Sequence, residues 1–383
     1  MRYVTSGESH GRVLTAIVTG VPAGVPIEQA SIDAELARRQ TGYGRGGRQQ
    51  IETDRGTVLS GVRFGRTIGS PVTIAVANRD WDNWMDVMPA FGEANEATRV
   101  TAPRPGHADL AGIQKIGSRD IRDVLERASA RETAARVAAG SVAKALLREL
   151  GVNIISFVSA VGAVEVETLD DPSSVDAGLV ESSSVRCPDA EVSERMCRAI
   201  DEASAAGESL GGVFYVIASG VLPGLGAYAE ADRRLDARLA AAMMSIPAIK
   251  GVEIGDGFAA AALPGSQVHD EISFDESRGL RRSTNHAGGL EGGMSNGEPL
   301  ILRVAMKPIP TLMKPLGSVD IETLESVDAS RERSDVCAVP AAAVVGEAEM
   351  AVVLADAYCD KFGGDCLQDM ETAIAAYEAR IRP

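Results

Sequence analysis

Apolar positions along this chain fall into short alternating runs and longer helical stripes, and their order of appearance occurs twice. Arg12 to Gly20 reads as a strand, stopped by the turn Gly20-Val21-Pro22-Ala23-Gly24. Ile27 to Gln40 reads as a helix, with Ile32 and Leu36 four apart on one face. Thr41 to Gln50 is a loop rich in glycine and arginine, and strand-like runs follow at Gly56 to Phe64 and Pro71 to Ala77. Asp80 to Ala97 is an irregular acidic loop carrying both tryptophans. Asp120 to Leu150 predicts one long alanine-rich helix, with Gly151 where a C-terminal cap belongs. Its many small residues imply burial on several sides. Glu191 to Gly207 predicts a polar connecting helix, Gly265 to Arg282 a charged irregular surface loop, and Asp369 to Arg382 a peripheral amphipathic helix.

The second half replays the first. Gly11 to Val21 sets against Gly211 to Val221, Ile32 to Ala37 against Leu235 to Ala240, and Gly69 to Ala77 against Gly297 to Ala305. Arg127-Ala128-Ser129 and Arg333-Ser334-Asp335 stand at the start of corresponding helices, with Gly140 answering Gly346. Four matches in one order point to an internal duplication. The fold class expected is α+β, with a central helical layer sandwiched between two antiparallel β-sheets. The halves are residues 1–200 and 201–383, joined into one integrated catalytic domain, and their symmetry would bring Ser129 and Asp335 toward one shared site.

Composition narrows the functions open to such a chain. Of 383 residues, 45% are hydrophobic and 24% charged, which is globular, and the low 4% of aromatics leaves small residues to pack the core. A net charge of −16 argues against non-specific nucleic-acid or membrane binding, which needs a basic surface. Five cysteines without paired spacing argue against a disulfide framework or a metal site and for a reducing compartment. With neither a secretory signal nor a spanning apolar run, the expected location is the cytoplasm.

Against that acidic background a local basic cluster stands out. Arg38, Arg39, Arg45 and Arg48, joined by Arg104, suit a ligand with several negative charges, because guanidinium groups clamp phosphates and carboxylates. Arg38 and Arg39 taken alone are equally a solvated helix end, and Gly42 to Arg48 also resembles an RNA-binding Arg-Gly-Gly segment. Two of the four histidines, His10 in Gly7-Glu8-Ser9-His10-Gly11 and His107 in Arg104-Pro105-Gly106-His107-Ala108-Asp109, lie in glycine-flanked loops expected to face one another over an anion. Imidazole can protonate a leaving oxygen near neutral pH. The glycine-rich stretch Asn285 to Gly297 suits a backbone that wraps a planar or phosphorylated ligand, although Rossmann and P-loop spacings are missing. Lys307-Pro308-Ile309-Pro310-Thr311 adds an ammonium and a hydroxyl, and Asp335 serves equally as a helix N-cap.

Together the Gly-Glu-Ser-His-Gly, Gly-Tyr-Gly-Arg-Gly-Gly-Arg and Arg-Pro-Gly-His-Ala-Asp motifs resemble those of chorismate synthases. So do Glu-Arg-Ala-Ser-Ala-Arg-Glu-Thr at 126–133, the glycine loop at 285–297, Lys-Pro-Ile-Pro-Thr at 307–311 and Arg-Ser-Asp-Val-Cys at 333–337. The resemblance implies a 1,4-anti elimination of phosphate from 5-enolpyruvylshikimate-3-phosphate, giving chorismate. It also implies reduced FMN without net redox change, a homotetramer, and a separate flavin reductase using a reductant such as NADPH. By the same resemblance His10 is the proton donor to phosphate, His107 meets the flavin near N1, and Asp335 assists removal of the C6 proton. Ser9, Arg39, Arg45, Arg48 and Arg104 would hold substrate. Arg127, Ala128, Ser129, Pro247, Ala248, Gly292, Lys307, Pro308, Ile309, Pro310, Thr311 and Arg333 would line the flavin site. Pro247 departs from the family, which usually carries an amide residue there. A non-catalytic flavin- or phosphate-binding protein is the alternative.

Overall fold

The computed structural model describes residues 1–46, 53–167, 169, 171–276, 279–330 and 335–382. Helices and strands are mixed, and the paired strands run antiparallel in several sheets. The first sheet orders its strands Arg2–Ser6, Val13–Thr19, Val72–Ala77, Gly56–Ser60. The second runs Ile249–Ile254, Leu300–Met306, Gly212–Ser219, Asn153–Val161, Val164–Glu165. Side chains alternate across a strand, so Leu14, Ala16 and Val18 share one buried face with Val72, Ile74 and Val76. Phe214 and Val216 do the same with Leu302 and Val304.

Pairing registers of the two sheets correspond residue for residue at the matched strands. Val13 faces Ala77 as Val213 faces Ala305, and Thr19 faces Arg2 as Ser219 faces Asn153. Gly20 and Gly220 end the matched strands at φ 72° and 79°, backbone that favours glycine.

The helix Thr133–Glu149 packs on the first sheet, and Val339–Phe362 packs on strands Asn153–Val161 and Gly212–Ser219. The two helices meet at Gly140, where a Cβ would lie 2.3 Å from the Cβ of Ala348. At Gly346 a Cβ would lie 2.8 Å from Val216 and 3.0 Å from Phe214. Helix Gln29–Gln40 buries Ile32, Leu36 and Arg39 against both long helices. One apolar core runs through both halves, holding Leu14 and Leu302 alike.

Three sequence expectations need correction. The helix expected from Asp120 to Leu150 is broken: Arg122–Ala128 ends at Ser129, whose extended backbone (ψ 144°) starts a short turn before Thr133–Glu149. The Ser129 side chain accepts the Arg131 amide, the kind of local bond that competes with helix continuation. Asp335 does not cap the last long helix, which begins at Val339 behind Ala338 with Pro340 in its first turn. Gly265 to Arg282 is not irregular throughout, because Ile272–Asp275 and Gly279–Arg282 pair as a hairpin.

Candidate active site

His10 sits just beyond the first strand in a loop tied to the short helix Arg122–Ala128. Glu126 of that helix accepts the His10 main-chain N–H at 2.8 Å and lies 3.0 Å from its Nδ1, while the Ser9 amide donates to the Glu126 carbonyl at 2.9 Å. Arg122, one turn earlier, adds a bond to the same carboxylate at 3.0 Å. Burial opposes ionisation of Glu126, but His10 and then Arg122 hold its carboxyl below the ordinary range. The Trp84 ring stacks on the imidazole, with centroids 3.7 Å apart. Arg127 instead reaches back to the Thr5 and Gly7 carbonyls, which staples the helix to the first strand.

His107 is held in the same way. Its Nδ1 meets Asp109, which also takes the Arg104 Nε at 2.8 Å and the Arg104 amide at 3.0 Å. Burial works against it, yet His107 and Arg104 keep the Asp109 carboxyl well below the usual carboxylate range. The described partners of the two histidines are different carboxylates. The loops are linked where helix Asp109–Ile116 packs on Arg122–Ala128, with Gly112 pressed against Val124.

The arginines form a second centre. Arg39 is buried, donating to Thr133 Oγ1 at 2.9 Å and to the Ala130 carbonyl at 3.0 Å, with Asp54 at 3.6 Å. Burial, then the charge of Arg45 and Arg131, pushes its guanidinium down to about 10, so it stays charged at neutral pH. Arg45 pairs with Asp335 at 3.1 Å, and Asp335 also accepts the Gly46 amide at 2.7 Å. Arg131 binds Asp54 at 2.7 Å and the Asn78 oxygen at 2.9 Å. Asn78 donates in turn to the carbonyls of Glu8 and Gly11, which joins the arginines to the His10 loop. Arg39 thus ties helix Gln29–Gln40 to the turn that follows Ser129, while Arg45 meets Asp335. Arg48 and Arg333 lie outside the described residues.

Lys307 ties a third group together. Its ammonium donates to the Gly106 carbonyl at 3.0 Å and its amide to the Ala248 carbonyl at 3.0 Å. Ala248 holds a left-handed backbone (φ 69°), which costs a non-glycine residue about 1 kcal/mol. Burial and the neighbouring Lys250 hold the Lys307 ammonium below its ordinary range. Ser209 Oγ donates to the Ile309 carbonyl at 2.6 Å, and the next amide, Leu210, to the carbonyl of Val336, beside Asp335. Pro310, Thr311 and Pro247 flank these contacts at half-buried positions, and Pro308 at an exposed one. Gly292 with Gly293 turns a two-residue hairpin loop at a cavity of about 370 Å³ lined by Pro223, Arg282, Met294 and Asn296.

Sequence reasoning missed Glu126, Asp109, Asp54, Arg131, Asn78 and Trp84. The i, i+4 spacing of Arg122 and Glu126 was a readable signal. Among the described residues no helix is long and apolar enough to cross a membrane. Buried guanidiniums beside imidazoles held on carboxylates are the equipment of an enzyme that handles anions and moves protons.

Comparison with known proteins agrees and goes further. Residues 1–359 match the family model described as chorismate synthase. The chorismate synthase of Moorella thermoacetica is 57% identical over 382 residues, covering 100% of this chain and 99% of the relative. That of Aquifex aeolicus is 53% identical over 391 residues, covering 100% and 98%. A crystal structure of a chorismate synthase superposes with a TM-score of 0.80 at 44% identity, covering 100% of this chain and 98% of that one. The chain belongs to the chorismate synthase family, whose members are lyases.

Proposed function

We propose that the chain converts 5-enolpyruvylshikimate-3-phosphate to chorismate and phosphate by a 1,4-anti elimination, with reduced FMN and no net redox change. The observation that carries this reading is the set Arg39, Arg45 and Arg131, whose nearly buried side chains gather around Asp54 and Asp335 and are joined through Asn78 to the His10 loop. Such a cluster of guanidinium groups suits a substrate with one phosphate and two carboxylates. In this reading His10 delivers a proton to the departing phosphate and Asp335 stands on the side of the C6 proton. Arg39, Arg45, Arg48, Arg104 and Ser9 bind the anionic substituents.

The residues present fit a flavin. Lys307 and Lys250 repel one another, and a bound phosphate would relieve that repulsion. The left-handed turn at Ala248 and the 307–311 segment would line the ring system, with Arg127, Ala128, Ser129, Gly292 and Arg333 as further contacts. Reduced flavin would lend electron density to the allylic system, chemistry that the protein only orients. His107, held by Asp109, would hydrogen-bond that group near N1.

The same proposal takes the chain as a duplicated fold, its helices layered between the two sheets, working as a homotetramer. Reduced FMN would come from a separate reductase that draws on NADPH. Five free cysteines suit a reducing cytoplasm. Anaerobic turnover tests the activity: phosphate release is expected with chemically reduced FMN and not with oxidised FMN. Flavin binding without any turnover would return the non-catalytic reading.

A further inference from the structure

We infer that Glu126 and Trp84 are positioning residues for His10, the first fixing which ring nitrogen carries the proton and the second fixing the plane of the ring. The inference rests on the proposed role of His10 and deepens it.

The geometry is specific. One carboxylate accepts both the main-chain N–H and the ring Nδ1 of a single histidine, at 2.8 and 3.0 Å. An ionised carboxylate can only accept, so Nδ1 must be the donor, and the opposite nitrogen, Nε2, becomes the atom that exchanges a proton with substrate. Glu126 is itself immobilised. Its side chain is 2% exposed, Arg122 binds the same oxygen as Nδ1, and its main-chain carbonyl takes the Ser9 amide. The imidazole could still swivel about its bond to Cβ. Trp84 opposes that, stacked at 26° between planes, with its indole N–H anchored on Asp80 at 3.0 Å and the Arg122 guanidinium 5.4 Å from its ring. Edge and face of the ring are therefore held by two different segments, and Arg122 touches both holders. A proton donor misplaced by a fraction of an ångström loses most of its advantage, which gives this double restraint a catalytic purpose.

The test combines spectroscopy with steady-state kinetics on the full chain carrying reduced FMN. With four histidines in the chain, two-bond 15N–1H spectra of 15N-histidine-labelled protein can be assigned by comparison with H10A. Wild type is expected to show His10 protonated at Nδ1, and E126Q to lose that signature. E126Q is expected to lower kcat by about 10²-fold, the low end for a general acid, with KM within about twofold. Because Glu126 acts through His10, the H10A/E126Q double variant is expected to be no slower than H10A. Additive losses in that cycle, an E126Q enzyme with wild-type kcat, or slowed turnover with the Nδ1–H signature intact would each overturn the inference. Should E126Q fail to fold, the Trp84 pair carries the same question. W84F keeps an aromatic face and is expected to retain kcat, W84A to lose about tenfold, and equal rates for the two would overturn it. Wild-type turnover by H10A would instead remove the proton-donor reading itself, a failure distinguishable from a neutral E126Q beside an inactive H10A.

Discussion

Arg38 grips Glu347 with both ends of its guanidinium, Nη1 to Oε2 and Nη2 to Oε1, each at 2.8 Å. Lys144 at 2.5 Å, Ser156 at 2.6 Å and Arg186 at 3.4 Å complete the shell of this fully buried carboxylate. Burial alone would favour a neutral acid, but Lys144 and then Arg38 hold the carboxyl well below its usual range. The cluster locks helix Gln29–Gln40 to both long helices, and the next residue along is Arg39.

Glu347→Ala should therefore be severe. It removes the buried carboxylate that Arg38, Lys144 and Arg186 share, leaving them to the more exposed Glu35 and Glu181, and breaking a buried pair from one side costs about 3–5 kcal/mol. Urea unfolding should register that loss. A variant as stable as wild type would mean that solvent reaches the cluster.

Gly140→Ala tests the contact between the long helices. The added methyl would overlap Ala348, and overpacking of this kind costs about 1–3 kcal/mol. Ala348→Gly in the same chain should recover part of it, because the two positions share one space. Thermal unfolding of the single and double variants decides the point, with no recovery counting against a direct contact.

Anions should stabilise the fold through Arg39, Arg45 and Arg131. A ligand present at a hundredfold over its Kd adds about 2.7 kcal/mol. The substrate, and inorganic phosphate at higher concentration, should raise Tm. Arg131→Gln should shrink the rise, as it removes one of the three cations, and the rise is read against that variant's own ligand-free Tm. An unchanged rise would place the anion elsewhere.

Acid should loosen both histidine loops. Glu126 and Asp109 have folded pKa values below their unfolded ones. Their contribution to stability is thus complete above the ordinary carboxylate range and is lost as pH falls through the lower folded values. Lowering the pH from about 5 to about 3 should cost wild type more than it costs E126Q or D109N, because amides do not titrate. Parallel pH profiles of Tm for the three proteins would contradict this.

Much of the fold was legible in the sequence because its signals are local. Alternation at Leu14, Ala16 and Val18 and the spacing of Ile32 and Leu36 mark buried faces directly. The matched runs foretold that Val13 and Val213 would meet equivalent partners. The break at Ser129 escaped because Arg122–Ala128 and the alanine-rich run after it both favour helix, while a single serine side chain turning onto its own backbone ends it.

The motifs likewise picked out His10, His107, Asp335 and the arginines as chemically capable groups. Which acid each would meet was settled only by folding. Glu126 lies 116 residues from His10 and Asp335 lies 289 from Gly46. That Gly292 shares a cavity with Pro223 and Arg282, both distant in sequence or outside its turn, was equally invisible before folding. Residue type and local spacing determine what a side chain can do and whether its segment coils or extends. The charge, orientation and protonation of a buried group depend on partners brought from distant segments, and those exist only once the helices and sheets have packed.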